Sequence, residues 1–190
     1  MTTSLVVIGA SKGGLNALEQ LLGSLSDDFP WPVAVAQHRD RDTNSSLAEF
    51  MQKSSRLIVR EPEDKEPISG GCVYLAPADY HLLVEDDHFA LSTSSRISQA
   101  RPCINYLFES AAEAFESSTV GVILTGANSD GAEGLAAIQR AGGTTVVQDP
   151  KTSEAPAMPR AAIAATRVDH VLPLAEIAPF LNRFCAAAVR

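Results

Sequence analysis

The apolar run Leu5-Val6-Val7-Ile8, followed at once by Gly9-Ala10-Ser11-Lys12-Gly13-Gly14, restricts the fold more than any other stretch of the chain. A run that does not alternate with polar residues marks a strand buried on both faces, which antiparallel sheets seldom require. The glycines then turn the chain tightly, and Leu15, Leu18, Leu21, Leu22 and Leu25 recur at helical spacing. Strand, tight turn and helix in that order open a parallel unit, whose next strand is reached by crossing over the sheet. One serine, Ser11, stands at the tip of the turn, beside the free N–H groups of a helix N-terminus. Two chemistries suit that place: an exposed nucleophile with oxyanion donors around it, or a cradle for phosphate.

The rest of the chain repeats the alternation. Strand-like runs at Val33–Gln37, Arg56–Arg60, Val120–Thr125 and Thr144–Gln148 are interleaved with helical patterns at Ser45–Lys53, Ile104–Glu116, about 131–141, Pro159–Ala165 and Ala175–Ala188. One segment departs from it. Cys72–Ala76, His81–Val84 and His88–Ser92 follow one another with no room for a helix, and Asp86-Asp87 supplies turn residues between the last two. That segment reads as an antiparallel excursion. The pattern predicts an α/β fold: a doubly wound, mostly parallel sheet with helices on both faces and an antiparallel hairpin. With no internal repeat and no dividing linker, the expectation is one domain over residues 1–190.

Composition narrows the classes of function. Apolar residues make up 45% of the chain and charged residues 20%, enough for a substantial core and too ordered a mixture for a disordered tail. No apolar stretch approaches the ~20 residues of a membrane span and no basic leader precedes one, so a soluble, cytoplasmic protein without membrane insertion is expected. A formal net charge of −8 leaves no electrostatic footprint for nucleic acid or anionic lipid. Cys72, Cys103 and Cys185 show no C-x-x-C spacing, which supports neither a disulfide framework nor a zinc site. No metal and no cofactor is expected.

In an open parallel sheet, ligands bind at the carboxyl ends of the strands. Three polar motifs fall there: Ser11, Gln37-His38 and the segment Thr125-Gly126-Ala127-Asn128-Ser129-Asp130-Gly131. Serine, histidine and aspartate at converging strand ends are the parts of a nucleophile–base–orienter relay. Other residues compete for the roles. His81 and His88 lie in the excursion and His170 opens the last strand region, while Asp40, Asp42 and Asp149 are alternative orienters. Asp130 also suits the simpler role of capping the helix that begins near Gly131. The glycine turn discriminates more sharply. A dinucleotide fingerprint fails because Ser11 stands where the second glycine belongs, and a phosphate loop fails because Leu15 follows Gly14. A short-chain dehydrogenase pairs a similar turn with Tyr-x-x-x-Lys, yet Tyr74, Tyr80 and Tyr106 are followed four residues on by Ala78, Val84 and Ser110.

Taken together, these segments resemble the catalytic domain of the CheB-type chemotaxis receptor methylesterases. The resemblance is carried by Gly9–Gly14, Gln37-His38, Tyr74-Leu75-Ala76-Pro77-Ala78-Asp79-Tyr80-His81, Arg101-Pro102, Leu124–Leu135 and Met158-Pro159-Arg160-Ala161-Ala162, in that order. It implies hydrolysis of glutamate γ-methyl esters on the cytoplasmic helices of chemoreceptors with release of methanol, and deamidation of receptor glutamines in many members. It further implies Ser11 as nucleophile, His38 as base and Asp130 as orienter, with Lys12, Gly13 and Ala127 at the oxyanion site or cleft. The chain departs from the family where Lys12 replaces a small polar residue and where Ala127 and Asn128 replace methionine and glycine. Because receptor helices are acidic, Lys12, Arg39, Arg41, Arg101 and Arg160 are candidate receptor contacts. Full-length members carry a receiver domain that covers the active site; none is expected within this sequence, which makes a separate receiver or regulator a candidate partner. The rival reading is a weakly active or inactive receptor-binding module on the same scaffold.

Overall fold

A computed structural model describes residues 4–39, 47–94 and 100–188. The strands are β1 (Leu5–Ala10), β2 (Val33–Gln37), β3 (Ile58–Arg60), β4 (Cys72–Leu75), β5 (His81–Glu85), β6 (His88–Ser92), β7 (Thr119–Ile123), β8 (Thr144–Gln148) and β9 (His170–Leu172). The helices are α1 (Gly14–Gly23), α2 (Leu47–Gln52), α3 (Ile104–Phe115), α4 (Ala132–Arg140), α5 (Ala157–Ala165) and α6 (Leu174–Ala188). Seven strands form one parallel sheet in the order β3-β4-β2-β1-β7-β8-β9, and β5 pairs antiparallel with β6. The chain therefore builds outward from β1 on one side and returns to fill the other, which makes the carboxyl end of β1 a topological switch point.

β1 shows why a non-alternating apolar run demands this position. Val6 and Ile8 point into one core with α1, α2 and α6, whereas Leu5 and Val7 point into a second with α3, α4 and α5. All four are wholly buried, so either face left uncovered would expose about 1.5–3 kcal/mol of apolar side chain per residue. The hairpin packs on the second face through Leu82, Val84 and Phe89.

The structure revises two expectations about strands. Cys72–Leu75 belongs to the main sheet, parallel to both β2 and β3, rather than to the antiparallel excursion. Its residues divide between the two cores, Val73 and Leu75 into one and Cys72 and Tyr74 into the other, as a central strand requires. Only β5 and β6 are antiparallel, joined at Asp86-Asp87 with Asp86 at φ 45°. The edge strand β3 is shorter than the predicted Arg56–Arg60. The Gln52 side chain donates to the carbonyls of Ser55 and Leu57 and accepts from the Val59 N–H, so these backbone groups are satisfied without a strand partner.

Candidate active site

Ser11, His38 and Asp130 follow β1, β2 and β7, which are neighbours in the sheet. Backbone bonds continue past the strand ends and knit the three segments together. His38 N–H donates to the Ala10 carbonyl at 3.0 Å, Ser11 N–H to Thr125 at 3.0 Å and Leu124 N–H to Gly9 at 2.9 Å. The buried Gln37 amide adds a brace, donating to the carbonyls of Ser11 at 3.0 Å and His38 at 2.7 Å. Ser11 and His38 are thus fixed to one another through the main chain. The turn after Ser11 needs Gly13, whose φ of 77° is a left-handed conformation that other residues adopt at a cost.

His38 Nε2 lies 2.7 Å from Asp130 Oδ2, with the carboxylate almost fully buried. A carboxylate can only accept there, so Nε2 carries the proton and Nδ1 is left with its lone pair. Asp130 is held by more than the imidazole. Oδ2 also accepts from the Ile104 N–H at 2.8 Å, and Oδ1 accepts from Asn105 N–H at 3.0 Å, Gly131 N–H at 2.9 Å and Cys103 Sγ at 3.4 Å. Burial pushes its carboxyl pKa up, but the bonds from His38, Ile104 and Asn105 outweigh that and hold it below the ordinary value. Burial and the facing carboxylate push the Cys103 thiol up to about 12, so it stays a neutral donor to Asp130.

The helix whose N-terminus Asp130 serves is therefore α3, not the expected α4, whose N-cap residue Gly131 offers no side-chain cap. α3 has no side-chain cap of its own at Cys103, and Asp130 supplies one from across the sheet. The competing histidines and acids have other occupations. His81 is buried, accepting from the Cys103 N–H with its ring edge-on to Tyr106; His88 lies against Glu85 and Asp87; His170 packs on Phe180. Asp149 caps the turn Pro150–Thr152. Asp40, Asp42 and Arg41 lie outside the described residues.

An open cleft of about 910 Å³ runs past Ser11 and His38. Lys12, Gly13 and Gly14 form its floor on the α1 side, and among the described residues nothing accepts from the N–H groups of Lys12 or Gly13. Ala127 is exposed and does not line the cleft, and its N–H is likewise unspent among the described residues. Two features of the cleft were not legible in the sequence. Leu15 and Phe50, 45% and 43% exposed, give it an apolar rim, and Glu154 stands beside Gly13 on its wall.

The expected bond between Ser11 and His38 is absent among the described residues. Nδ1 instead lies 3.3 Å from the Asn128 amide nitrogen. The candidate receptor cations also divide. Lys12 is exposed on the cleft and, among the described residues, makes no ion pair. Arg39 reaches the cleft but is half-buried and spent within the fold, pairing with Glu61 at 2.6 Å and donating to the Ala76 carbonyl. Arg101 is folded onto Asp79 at 2.9 Å and the Thr93 carbonyl at 2.7 Å, and Arg160 is exposed on α5 away from the cleft lining. Among the described residues no group of three His, Cys, Asp or Glu side chains is placed to hold a metal ion.

Residues 6–181 match the family model described as CheB methylesterase. The chain belongs to the CheB methylesterase family. A relative from Leptospira interrogans, provisionally named a protein-glutamate methylesterase/protein-glutamine glutaminase, is 45% identical over 184 residues, covering 96% of this chain and 95% of its own. A Thermotoga maritima protein-glutamate methylesterase/protein-glutamine glutaminase is 37% identical over 177 residues, and there the chain spans about half the relative's length, 52%. The crystal structure of the Thermotoga maritima CheB methylesterase catalytic domain superposes with a TM-score of 0.93 at 35% identity, covering 97% of this chain and all of that one. The doubly wound sheet with its separate hairpin is thus the fold of that catalytic domain. Among the described residues no helix is long and apolar enough to cross a membrane.

Proposed function

We propose that this single α/β domain hydrolyses γ-methyl esters of glutamate side chains on chemoreceptors, with Ser11, His38 and Asp130 as its catalytic relay. The observation that carries the reading is the 2.7 Å contact from His38 Nε2 to Asp130, which leaves Nδ1 as the basic nitrogen in a cleft lined by Ser11. Ser11 Oγ attacks the ester carbonyl carbon while His38 Nδ1 takes its proton. The oxyanion forms beside the unspent N–H groups of Lys12 and Gly13, which line the cleft next to Ser11. His38 then protonates the methoxy oxygen, methanol leaves, and a glutamyl–Ser11 ester remains. Water, deprotonated by the same nitrogen, releases the glutamate carboxylate and restores the serine. The same sequence acting on a glutamine amide expels ammonia, the glutaminase activity in the relatives' names.

Receptor helices are acidic, and the cleft meets them with Lys12 as its unpaired cation among the described residues and with Leu15 and Phe50 for their apolar faces. Capping α3 alone would not require Asp130 also to bind His38, and that added bond fixes the imidazole in one tautomer beside Ser11, which favours an enzyme over an inactive binding module. Methanol release from methylated receptor fragments tests the proposal. Ser11→Ala should abolish covalent turnover and lower the rate by at least ~10³-fold, leaving only what binding and the oxyanion donors provide. Release at the wild-type rate by Ser11→Ala would refute it.

A further inference from the structure

The relay depends on a lone pair that, in this structure, is already engaged. His38 Nδ1 faces the side-chain amide nitrogen of Asn128 at 3.3 Å. Which end of that amide points at the imidazole is fixed by its other contact, because Asn128 Oδ1 accepts the Asp130 N–H at 3.1 Å. Turning the amide over would set its NH2 against an N–H donor, so the nitrogen must be the end that meets Nδ1. Nδ1 can only accept, since Nε2 holds its proton against Asp130. The Asn128 N–H therefore donates to the one atom that must take the proton of Ser11.

Resting on the Ser11–His38–Asp130 reading, we propose that Asn128 is a resting-state latch on the catalytic base. Its amide occupies the His38 lone pair, and the Ser11 hydroxyl has no bond to His38 among the described residues. Asn128 is exposed at the loop following β7, so its amide can swing out as an ester enters, whereas Asp130 is almost fully buried and holds His38 by a 2.7 Å bond. The other charged groups around the ring do not duplicate the contact: Arg39 is paired with Glu61, and Lys12 and Glu154 stand on the α1 side of the cleft. Asn128 acts through His38 and is a positioning residue, not a catalytic one.

The latch costs activity, because a hydrogen bond must break before Ser11 can be deprotonated. For a long bond at an exposed side chain the expected penalty is about two- to fivefold in rate. Asn128→Ser removes the amide while its hydroxyl can still accept the Asp130 N–H two residues on, and Asn128→Gly removes both contacts. The probe is a fluorophosphonate, which phosphonylates an activated serine without any receptor, with labelling at Ser11 followed by mass spectrometry. Labelling should be about two- to fivefold faster in both variants than in wild type, with the melting temperature of Asn128→Ser unchanged. In a 15N–1H spectrum of the wild type, one Asn128 side-chain proton should lie downfield and move upfield in His38→Ala. Equal or slower labelling in both variants, as an oxyanion donor at Asn128 would give, overturns the latch. An Asn128 resonance indifferent to His38 overturns it as well. If Ser11 is labelled in none of the proteins while that resonance still responds to His38, the contact stands and the nucleophile assignment falls.

Discussion

Asp130→Asn separates the two jobs of that carboxylate. All five groups around it donate: His38 Nε2 and Ile104 N–H to Oδ2, and Asn105 N–H, Gly131 N–H and Cys103 Sγ to Oδ1. An asparagine keeps one acceptor oxygen, so its NH2 must face either two donors or three. It will take the Oδ2 side, because there the imidazole can yield by moving its proton to Nδ1. Ile104 N–H then loses its acceptor in a buried site, at about 1–3 kcal/mol. The anion at the start of α3 is lost too, at about 0.3–1 kcal/mol. Together these predict destabilisation of about 1.5–4 kcal/mol, or a melting temperature lower by about 3–15 °C for a domain of this size. The kinetic effect is larger. With its proton on Nδ1 the histidine has no lone pair for Ser11, and the corresponding tautomer error in serine proteases costs about 10⁴ in kcat. Thermal melts by circular dichroism and methanol release from receptor fragments measure the two losses on one sample. A variant that melts early yet keeps turnover within tenfold of wild type would show that Asp130 only caps α3, and the relay would be refuted.

Gly14→Ala should damage the cleft without touching Ser11 or His38: its Cβ would collide with Gln37 Oε1, displacing the amide that braces Ser11 and His38, with about tenfold loss of kcat and about 1–2 kcal/mol of stability by denaturant melt. Lys12→Gln should raise KM for acidic receptor fragments about two- to fivefold and flatten its salt dependence with kcat little changed, whereas Arg101→Gln, which loses the Asp79 and Thr93 contacts, should lower the melting temperature and leave KM alone. Because Asp130 is more acidic folded than unfolded, its contribution to stability is present above the ordinary carboxylate value of 3.8 and is lost as pH falls through its lower folded value. Urea melts across the acid range should therefore show a shallower fall for Asp130→Asn than for wild type, and identical slopes would contradict the shift.

The fold was legible wherever burial on two faces leaves a pattern in the sequence. β1, β2, β7 and β8 stand within a residue or two of their predicted limits because their apolar or β-branched runs do not alternate with charged residues. β4 defeats the pattern because Cys72–Leu75 is followed by a loop rather than a helix, and a strand without a helical crossover reads as a change of sheet. The partners of His38 were readable only in part. Strand-end position brings Asp130 to it, but the helix that shares Asp130 begins at Ile104, and nothing local to either segment advertises the pairing. Gln37 could be noticed beside His38, but its bracing of two carbonyls needs the depth at which the sheet buries it. Arg39 and Arg101 carry the same charge as Lys12 in sequence. Only the positions of Glu61 and Asp79 reveal that theirs is spent within the fold.

The backbone of the proposed relay is tied into the sheet on three adjacent strands, and Asp130 is tied into α3 by the same oxygen that holds His38. A substitution in that set disturbs stability and turnover together, since each bond serves both. Lys12, Leu15, Phe50 and Asn128 are different: they are exposed and carry little of the core. Change there costs little folding energy, while the rim and the base remain within reach of whatever enters the cleft. Specificity and resting activity can therefore be reset on this exposed rim, with the chemistry beneath it held constant by the demands of the fold.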